Sequence, residues 1–169
     1  AVGHTKKGRT AAVFDEVAQM ASWLADPAIG KVLHDANGPV LAAKASGIDV
    51  HGVVGDTALE AYLLLPGQRS FPLPDLTARF LHRDVVEPQA GDQLTMDGLD
   101  DDAGQELADG AAAVLALHAE LMEQLGPVGR DLLNDVELPL EAVLVEMEAA
   151  GIAVDLDLLH QLRDSFDSQ

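Results

Sequence analysis

The stretch 31–68 constrains the fold most, because short apolar segments alternate there with segments of helical character. Two apolar segments, KVLHDA at 31–36 and IDVHGVVGD at 48–56, are strand candidates, and Gly52 is a candidate break within the second. The residues that follow each strand candidate favour a helix. This strand–helix–strand–helix order is typical of an α/β layer, although only two or three strands can be recognised along the chain.

The remaining segments are predicted to be mainly helical, since apolar residues recur in them every three or four positions. Pro and Gly mark the helix ends at Asp26-Pro27, Gly47, Gly126-Pro127 and Gly151. The acidic segment 84–102 is predicted to be a loop. An α/β region followed only by helices is what an α/β domain cut at its N-terminus would give. The predicted helices cover 9–26, 38–47 with Pro39 in its first turn, 57–65, 73–83, about 103–125, 129–151 with an interruption at Pro139, and a last helix from about residue 156.

Charge is distributed unevenly along the chain. Residues 1–83 carry eight acidic and eight basic side chains, whereas 84–169 carry 21 acidic side chains against Arg130 and Arg163. The whole net charge of −19 therefore belongs to the second half. Affinity for nucleic acid comes largely from Lys and Arg, so we expect weak or no nucleic-acid binding by this chain alone. The acidic excess is interpreted as a solvated surface.

The composition also limits the chemistry that the chain can carry. It has no Cys, which excludes disulfides and thiolate metal sites. No apolar run approaches the roughly 20 residues that a membrane span needs, and no secretory signal is visible. We therefore expect a cytoplasmic protein that does not associate with membranes.

Three segments carry a family resemblance. DTALEAYLL followed by SFPLPDLTARFL, then DAGQELADGAAAVLALHAEL, and finally NDVELPLEAVLVEMEAAGIAVD resemble bacterial DNA polymerase I, of polymerase family A. The resemblance covers about residues 28–165. It implies a partial, N-terminally truncated, helix-rich ribonuclease-H-like fold of the α/β class, followed by an all-helical segment. The implied domains are an incomplete 3′–5′ exonuclease-like domain at 1–126 and the start of the polymerase region at 127–169.

Active exonucleases of this family hold two metal ions with four carboxylates, because hard cations that polarise phosphate need oxygen ligands. The first two ligands come from an Asp-x-Glu strand, which is expected to lie before Ala1. The motif Asp135-Val136-Glu137 lies at the polymerase boundary and is interpreted as a coincidence. The third ligand position aligns with Pro39, which cannot bind metal. Asp35 lies four residues earlier and would need a compensating gap.

The fourth ligand belongs to a Tyr-x-x-x-Asp motif, which reads here Glu106-Leu-Ala-Asp-Gly110. Gly110 thus stands where the family has Asp. Asp109 is one residue away, and one residue turns a helix by about 100°, so its carboxylate should point elsewhere. These changes predict an exonuclease fold without catalytic residues, metal ligands or a cofactor of its own.

Other residues have predicted roles that need no metal. Asp56 is expected to cap a helix, and Thr57 with Glu60 to form a capping box. A metal shared by His34 and His51 is a weaker alternative, since a third ligand is missing. The remaining predictions are a satisfied core position for His118, core positions for Met20 and Trp23, and a solvated tail for Lys6, Lys7 and Arg9.

The leading hypothesis is a part of DNA polymerase I, acting in DNA replication and repair, whose exonuclease-like domain is structural. Polymerase chemistry, its Mg²⁺ and the contacts with DNA would belong to the full-length enzyme beyond Gln169. Two alternatives stay open. One is an active metal-dependent 3′–5′ exonuclease, and the other is a stand-alone acidic module that docks a basic partner.

Overall fold

The structure, a computed structural model, describes residues 2–5, 8–11, 14, 16–85 and 101–167, with backbone alone at 2–11 and 101–103. Most of the predicted loop at 84–102 therefore lies outside the described residues. The basic residues Lys6 and Lys7 do so as well, and the side chain of Arg9 is not described.

Two small sheets and a set of helices make up the described chain. Strands β1 (Val2–Thr5) and β2 (Gly8–Ala11) form an antiparallel hairpin. Strands β3 (Lys31–Leu33) and β4 (Val53–Asp56) pair in parallel, with Leu33 opposite Asp56. The helices are a 3₁₀ turn at Val17–Met20, α1 (Ala21–Ala25), α2 (Asn37–Ala45), α3 (Thr57–Leu64), α4 (Leu73–Leu76) continued by a wide turn at Thr77–Leu81, α5 (Asp101–Leu132), a second wide turn at Leu133–Glu137, α6 (Leu138–Ala150) and α7 (Leu156–Asp167).

The hairpin corrects one prediction. The helix expected over 9–26 forms only from Val17, because Gly8–Ala11 pairs with Val2–Thr5 and becomes a strand. Pairing between segments overrides the local helical pattern of this segment. The pairing could not be predicted from the residues, since the β1–β2 hairpin carries no apolar alternation.

The other predicted helices are present within the described residues, whereas the strands predicted at 31–36 and 48–56 cover only Lys31–Leu33 and Val53–Asp56. The interruption predicted at Pro139 lies earlier, in the wide turn at Leu133–Glu137. Strand β4 begins directly after Gly52, whose φ of +72° suits the break expected there. Gly126, at φ +64° and ψ −174°, interrupts α5 just before Pro127. Gly151, at φ +67°, ends α6, and α7 begins at Leu156 as predicted.

The core lies between α3, α4 and α5. Its buried members are Ala61, Leu73, Leu76, Leu117 and Leu121, around which Phe71, Phe80 and Val114 pack. The hairpin and β3 also contact α5. Helix α5 therefore holds together both sheets and the apolar core, and it places His118 against the end of β4.

Polar contacts fix the start of β3 against α1. Lys31 is buried, and its Nζ donates to the carbonyl oxygens of Asp26 (2.6 Å) and Ile29 (2.9 Å). The same ammonium group lies 5.3 Å from the ring centroid of Trp23. Carbonyl and aromatic partners compensate for the burial of this charge. Trp23 and Met20 are half-buried at this junction.

Helices α6 and α7 expose much of their apolar surface. Exposed side chains include Met147 of α6 (63% exposed), Phe166 of α7 (72%) and Ile152 in the connection between the two helices (90%). No residue of α7 is buried. Among the described residues, no helix is long and apolar enough to cross a membrane.

Candidate functional site

Asp56 lies at the end of β4, and its side chain organises the surrounding backbone. The residue is buried, at 1% exposure. Its Oδ1 accepts from the backbone N–H groups of Asp35 (3.1 Å), Ala58 (2.7 Å) and Leu59 (3.4 Å), and Oδ2 accepts from that of Ala36 (2.6 Å). One carboxylate thus caps α3 and also holds the turn before α2. The predicted capping role of Asp56 is confirmed.

The predicted capping box is wrong. Asp56, and not Thr57, is the N-cap of α3. The Thr57 hydroxyl instead bonds to Nδ1 of His34 (2.8 Å) and to the Leu33 carbonyl (3.4 Å). Glu60 turns away from the cap toward α5. The motif is misleading here because Thr57 and Glu60 are both buried and find partners from other elements.

Glu60 and His118 form a buried polar pair between α3 and α5. Oε1 of Glu60 lies 2.7 Å from Nδ1 of His118, while Oε2 is buried without a hydrogen-bond partner. Burial raises the pKa of Glu60; the hydrogen bond and charge of His118 act against this, and the charge of Asp56 adds to it. The prediction that His118 is satisfied within the structure is confirmed, with Glu60 as its partner.

Pro39 lies in the first turn of α2, at the rim of a cavity of about 530 Å³. His34, Asp35, Arg69 and Phe71 also line this cavity. Asp35 has φ +50°, and its backbone N–H is committed to Asp56. Arg69 carries no motif, and the sequence offered no signal that it would stand beside Pro39.

Gly110 lies within α5, and open space surrounds the position where a side chain would begin. Asp109 is exposed and accepts a hydrogen bond from Gln105 (3.0 Å). Asp135 and Glu137 lie in the wide turn before α6. These positions lie on the helical segment that begins at Asp101.

The two His residues of the metal alternative have separate surroundings. His34 bonds to Thr57, whereas His51 is exposed and its backbone N–H donates to the Leu24 carbonyl (2.9 Å). Within the part of the chain that the structure describes, no three His, Asp or Glu side chains are grouped so that they could hold a metal ion. Neither Pro39 nor Gly110 has an oxygen atom in its side chain.

Glu141 is the site residue that sequence reasoning missed. It lies on α6, 85 positions after Asp56, and its carboxyl group forms a hydrogen bond with the Asp56 side chain. Burial, the charge and hydrogen bond of Asp56, and the charge of Asp35 raise the pKa of Glu141 to about 8. Nothing local marks this residue, because only the tertiary fold brings α6 against the end of β4.

Two further polar contacts join α6 to α2. Nδ2 of Asn37 donates to Oε1 of Glu148 (3.0 Å), and Lys44 forms an ion pair with Glu146. Both contacts are exposed, so each contributes little free energy and mainly fixes orientation. Together with Glu141 they place α6 across the face formed by α2 and β4.

The domain has a small parallel sheet flanked by helices, with polar side chains at the carboxyl ends of its strands. This architecture belongs to the α/β class. Residues 6–90 match the family model of the ribonuclease H-like domain of DNA polymerase I. The chain therefore belongs to the DNA polymerase I family and contains its 3′–5′ exonuclease-like domain, which confirms the resemblance and the predicted fold.

Individual relatives agree with the family model. DNA polymerase I of Mycobacterium bovis is 42% identical over 160 residues, which are 92% of this chain and 18% of that protein. The Geobacillus stearothermophilus enzyme is 32% identical over 146 residues, 83% of this chain and 17% of that protein. The chain thus spans about a fifth of the length of these relatives.

A solved structure shows the same fold. It is the POL domain of Pol1 from M. smegmatis in complex with DNA primer-template and dNTP. It matches with a TM-score of 0.75 and 42% sequence identity, and the match covers 90% of this chain and 24% of that chain. The match extends over most of the chain and so beyond the 6–90 segment of the family model.

Proposed function

We propose that this chain is a structural part of a DNA polymerase I, in which an exonuclease-like domain that does not cleave DNA supports the polymerase region. The observation that carries the proposal is that the side chain of Asp56, at the end of β4, forms hydrogen bonds within the fold. Both oxygens of Asp56 accept from backbone N–H groups, and the carboxyl group is also joined to Glu141. A carboxylate committed in this way holds the fold together and has little capacity left for a metal ion.

The positions expected to bind metal support the same reading. Pro39 and Gly110 have no ligating side chain, and Asp109 is turned to a neighbour on its own helix. Two-metal phosphoryl chemistry needs carboxylates that converge on one point. We infer that the fold has kept the arrangement of an exonuclease without its metal ligands, and that the Mg²⁺ of the enzyme belongs to polymerase chemistry elsewhere.

The exposed arm formed by α6 and α7 indicates what the domain supports. Large apolar side chains such as Ile152, Phe166 and Met147 are exposed there, and the matched relatives are about five times longer than this chain. Exposed apolar surface of this size is usually covered by protein. We infer that the rest of a polymerase polypeptide packs on this arm, and that the protein meets DNA through that polymerase, in the cytoplasm.

An exonuclease assay tests the proposal. The chain, and the longer polymerase that contains it, would be incubated with a 5′-labelled single strand and Mg²⁺ or Mn²⁺. We expect no shortening beyond the buffer control, while a proofreading exonuclease run in parallel degrades the strand completely. Shortening that EDTA abolishes and that Asp35→Asn also abolishes would contradict the proposal, since Asp35 is the acid nearest to Pro39 in sequence.

The active-exonuclease alternative has one observation in its favour. The cavity beside Pro39 combines Arg69, His34 and Asp35, which is a polar lining that a strand end could enter. The assay above separates the two functions directly. The alternative of an acidic docking module has the exposed acidic side chains of α6 and α7 in its favour, but it does not account for the large apolar side chains exposed on the same helices.

A further inference from the structure

The contact between Glu141 and Asp56 joins two parts of the chain that the family resemblance assigns to different regions. Asp56 ends β4 and caps α3, whereas Glu141 belongs to the helix that would open the polymerase region. Helix α6 packs against α2 and β4 at this point. The pair is therefore a joint between the exonuclease-like core and α6.

The hydrogen bonds around Asp56 decide where the proton of this pair resides. Four backbone N–H groups point at its two oxygens, and an N–H group can be satisfied only by an oxygen that accepts. Both oxygens of Asp56 therefore act as acceptors. Oδ2 accepts only one of these four bonds, which leaves it the greater remaining capacity to accept. A second carboxyl group can approach favourably only if it brings a proton to donate.

The charged groups around Glu141 do not neutralise it in its ionised form. Asp56 and Asp35 face it from the connections that lead into α3 and α2. On α2, Lys44 is already paired with Glu146, and Asn37 bonds to Glu148. Exposed His51 and Asn134 line the same side of the joint. No Lys or Arg appears among the charges that shift Glu141.

Space at the joint would let it open. A cavity of about 460 Å³ lies between α6 and the sheet, lined by Glu141 and Val145 on one side and by Val53, Val54 and Ala36 on the other. Ionisation of Glu141 would place two negative charges in contact at the wall of this cavity. Water entering the cavity, with movement of α6 away from β4, would relieve the repulsion.

We propose that Glu141 is a proton-dependent latch, which fastens α6 to the exonuclease-like core while its carboxyl group is protonated and releases α6 when the group ionises. The burial and charges described above place this change at mildly alkaline pH, since they raise the pKa of Glu141 to about 8. The latch would set how firmly the apolar arm is oriented on the core.

Nuclear magnetic resonance on the unmodified chain is the first test. The side-chain carboxyl carbon of Glu141 would be followed from pH 4 to pH 10, with the backbone amides of Asp35 and Ala36 as reporters on Asp56. We expect Glu141 to titrate near pH 8 and the two amides to shift with the same midpoint. A Glu141 midpoint close to the ordinary value of 4.5 would overturn the proposal.

Unfolding measurements on variants give the second test. Glu141→Gln keeps a donor for Asp56 but cannot ionise, and Glu123→Gln removes the same charge from an exposed site on α5. The folded protein holds the Glu141 proton to higher pH than the unfolded chain does. The contribution of Glu141 to the free energy of unfolding should therefore be fully present below about pH 4.5, fall between about pH 4.5 and 8, and stay level above that range.

The expected result is a gap between variants that depends on pH. Glu141→Gln and the unmodified protein should have the same thermal midpoint near pH 4.5, and at pH 9 the variant should melt several degrees higher. Glu123→Gln should follow the unmodified protein throughout. A gap between Glu141→Gln and the unmodified protein that is constant across pH would overturn the latch. Neither failure would affect the proposed scaffold function, which the exonuclease assay tests separately.

Discussion

At the scale of single residues, Gly55 shows how closely the polar groups at the end of β4 are packed. A Cβ atom at this position would lie 2.7 Å from Oε1 of Glu60 and 2.7 Å from Nδ1 of His118. Both atoms belong to the same hydrogen-bonded pair, and Glu60 is fully buried. A side chain at position 55 would therefore have to separate α3 from α5 or break the pair.

We predict that Gly55→Ala lowers the free energy of unfolding by about 2 kcal/mol, the usual cost of overpacking a filled interior. Urea unfolding at pH 7 followed by circular dichroism would measure it. Gly110→Ala is the matched control, because nothing lies within 4 Å of its added methyl group, and Ala is the better helix former by about 1 kcal/mol. Equal effects of the two substitutions would show that the Glu60–His118 pair does not fill the space above Gly55.

At the scale of elements, the local sequence pattern predicts the end of a helix or strand correctly where a residue at that end causes it. Gly52, Gly126 and Gly151 adopt positive φ values, and the breaks predicted at these glycines are present. Contacts between distant elements account for the differences. The β1–β2 hairpin forms where part of a helix was predicted. Glu60 forms a hydrogen bond with His118 and not the predicted capping box with Thr57. Asp56 could be recognised as a cap because its bonds to Ala58 and Leu59 are local, whereas its bonds to Asp35 and Ala36 and its contact with Glu141 could not be predicted.

The break at Gly126 gives an element-scale prediction. Its φ of +64° with ψ of −174° lies in a region that residues with a side chain rarely adopt. We expect Gly126→Ala to destabilise the chain by about 1–3 kcal/mol, because the bend that leads toward α6 would be strained. Gly104→Ala is the control, since Gly104 lies in the same helix without strain and with open space around it. Urea midpoints would compare the two. Equal stability in both would mean that the bend can move to another residue.

At the scale of the whole molecule, the acidic charge is concentrated on the helical half that carries the apolar arm. The net charge is −19, and only Arg130 and Arg163 are basic beyond residue 83. Among the described residues of the first half, Arg69, Arg79 and Arg83 are exposed, and three cations are too few to offset this charge. A surface of this kind repels a polyanion at long range.

The corresponding prediction concerns DNA. We expect the chain to bind a 20-nucleotide single strand with a Kd weaker than about 100 µM at 150 mM salt, the weak end of non-specific binding. Fluorescence anisotropy would measure the Kd, and lowering the salt to 50 mM should change it little, because few Lys or Arg displace counterions. The longer polymerase that contains the chain is the positive control, and it should bind primer-template tightly. Micromolar binding by the chain with a steep dependence on salt would mean that basic residues near the N-terminus or around Arg69 form a nucleic-acid surface. In that case the exonuclease-like domain would take part in holding DNA, and the scaffold function proposed for it would be incomplete.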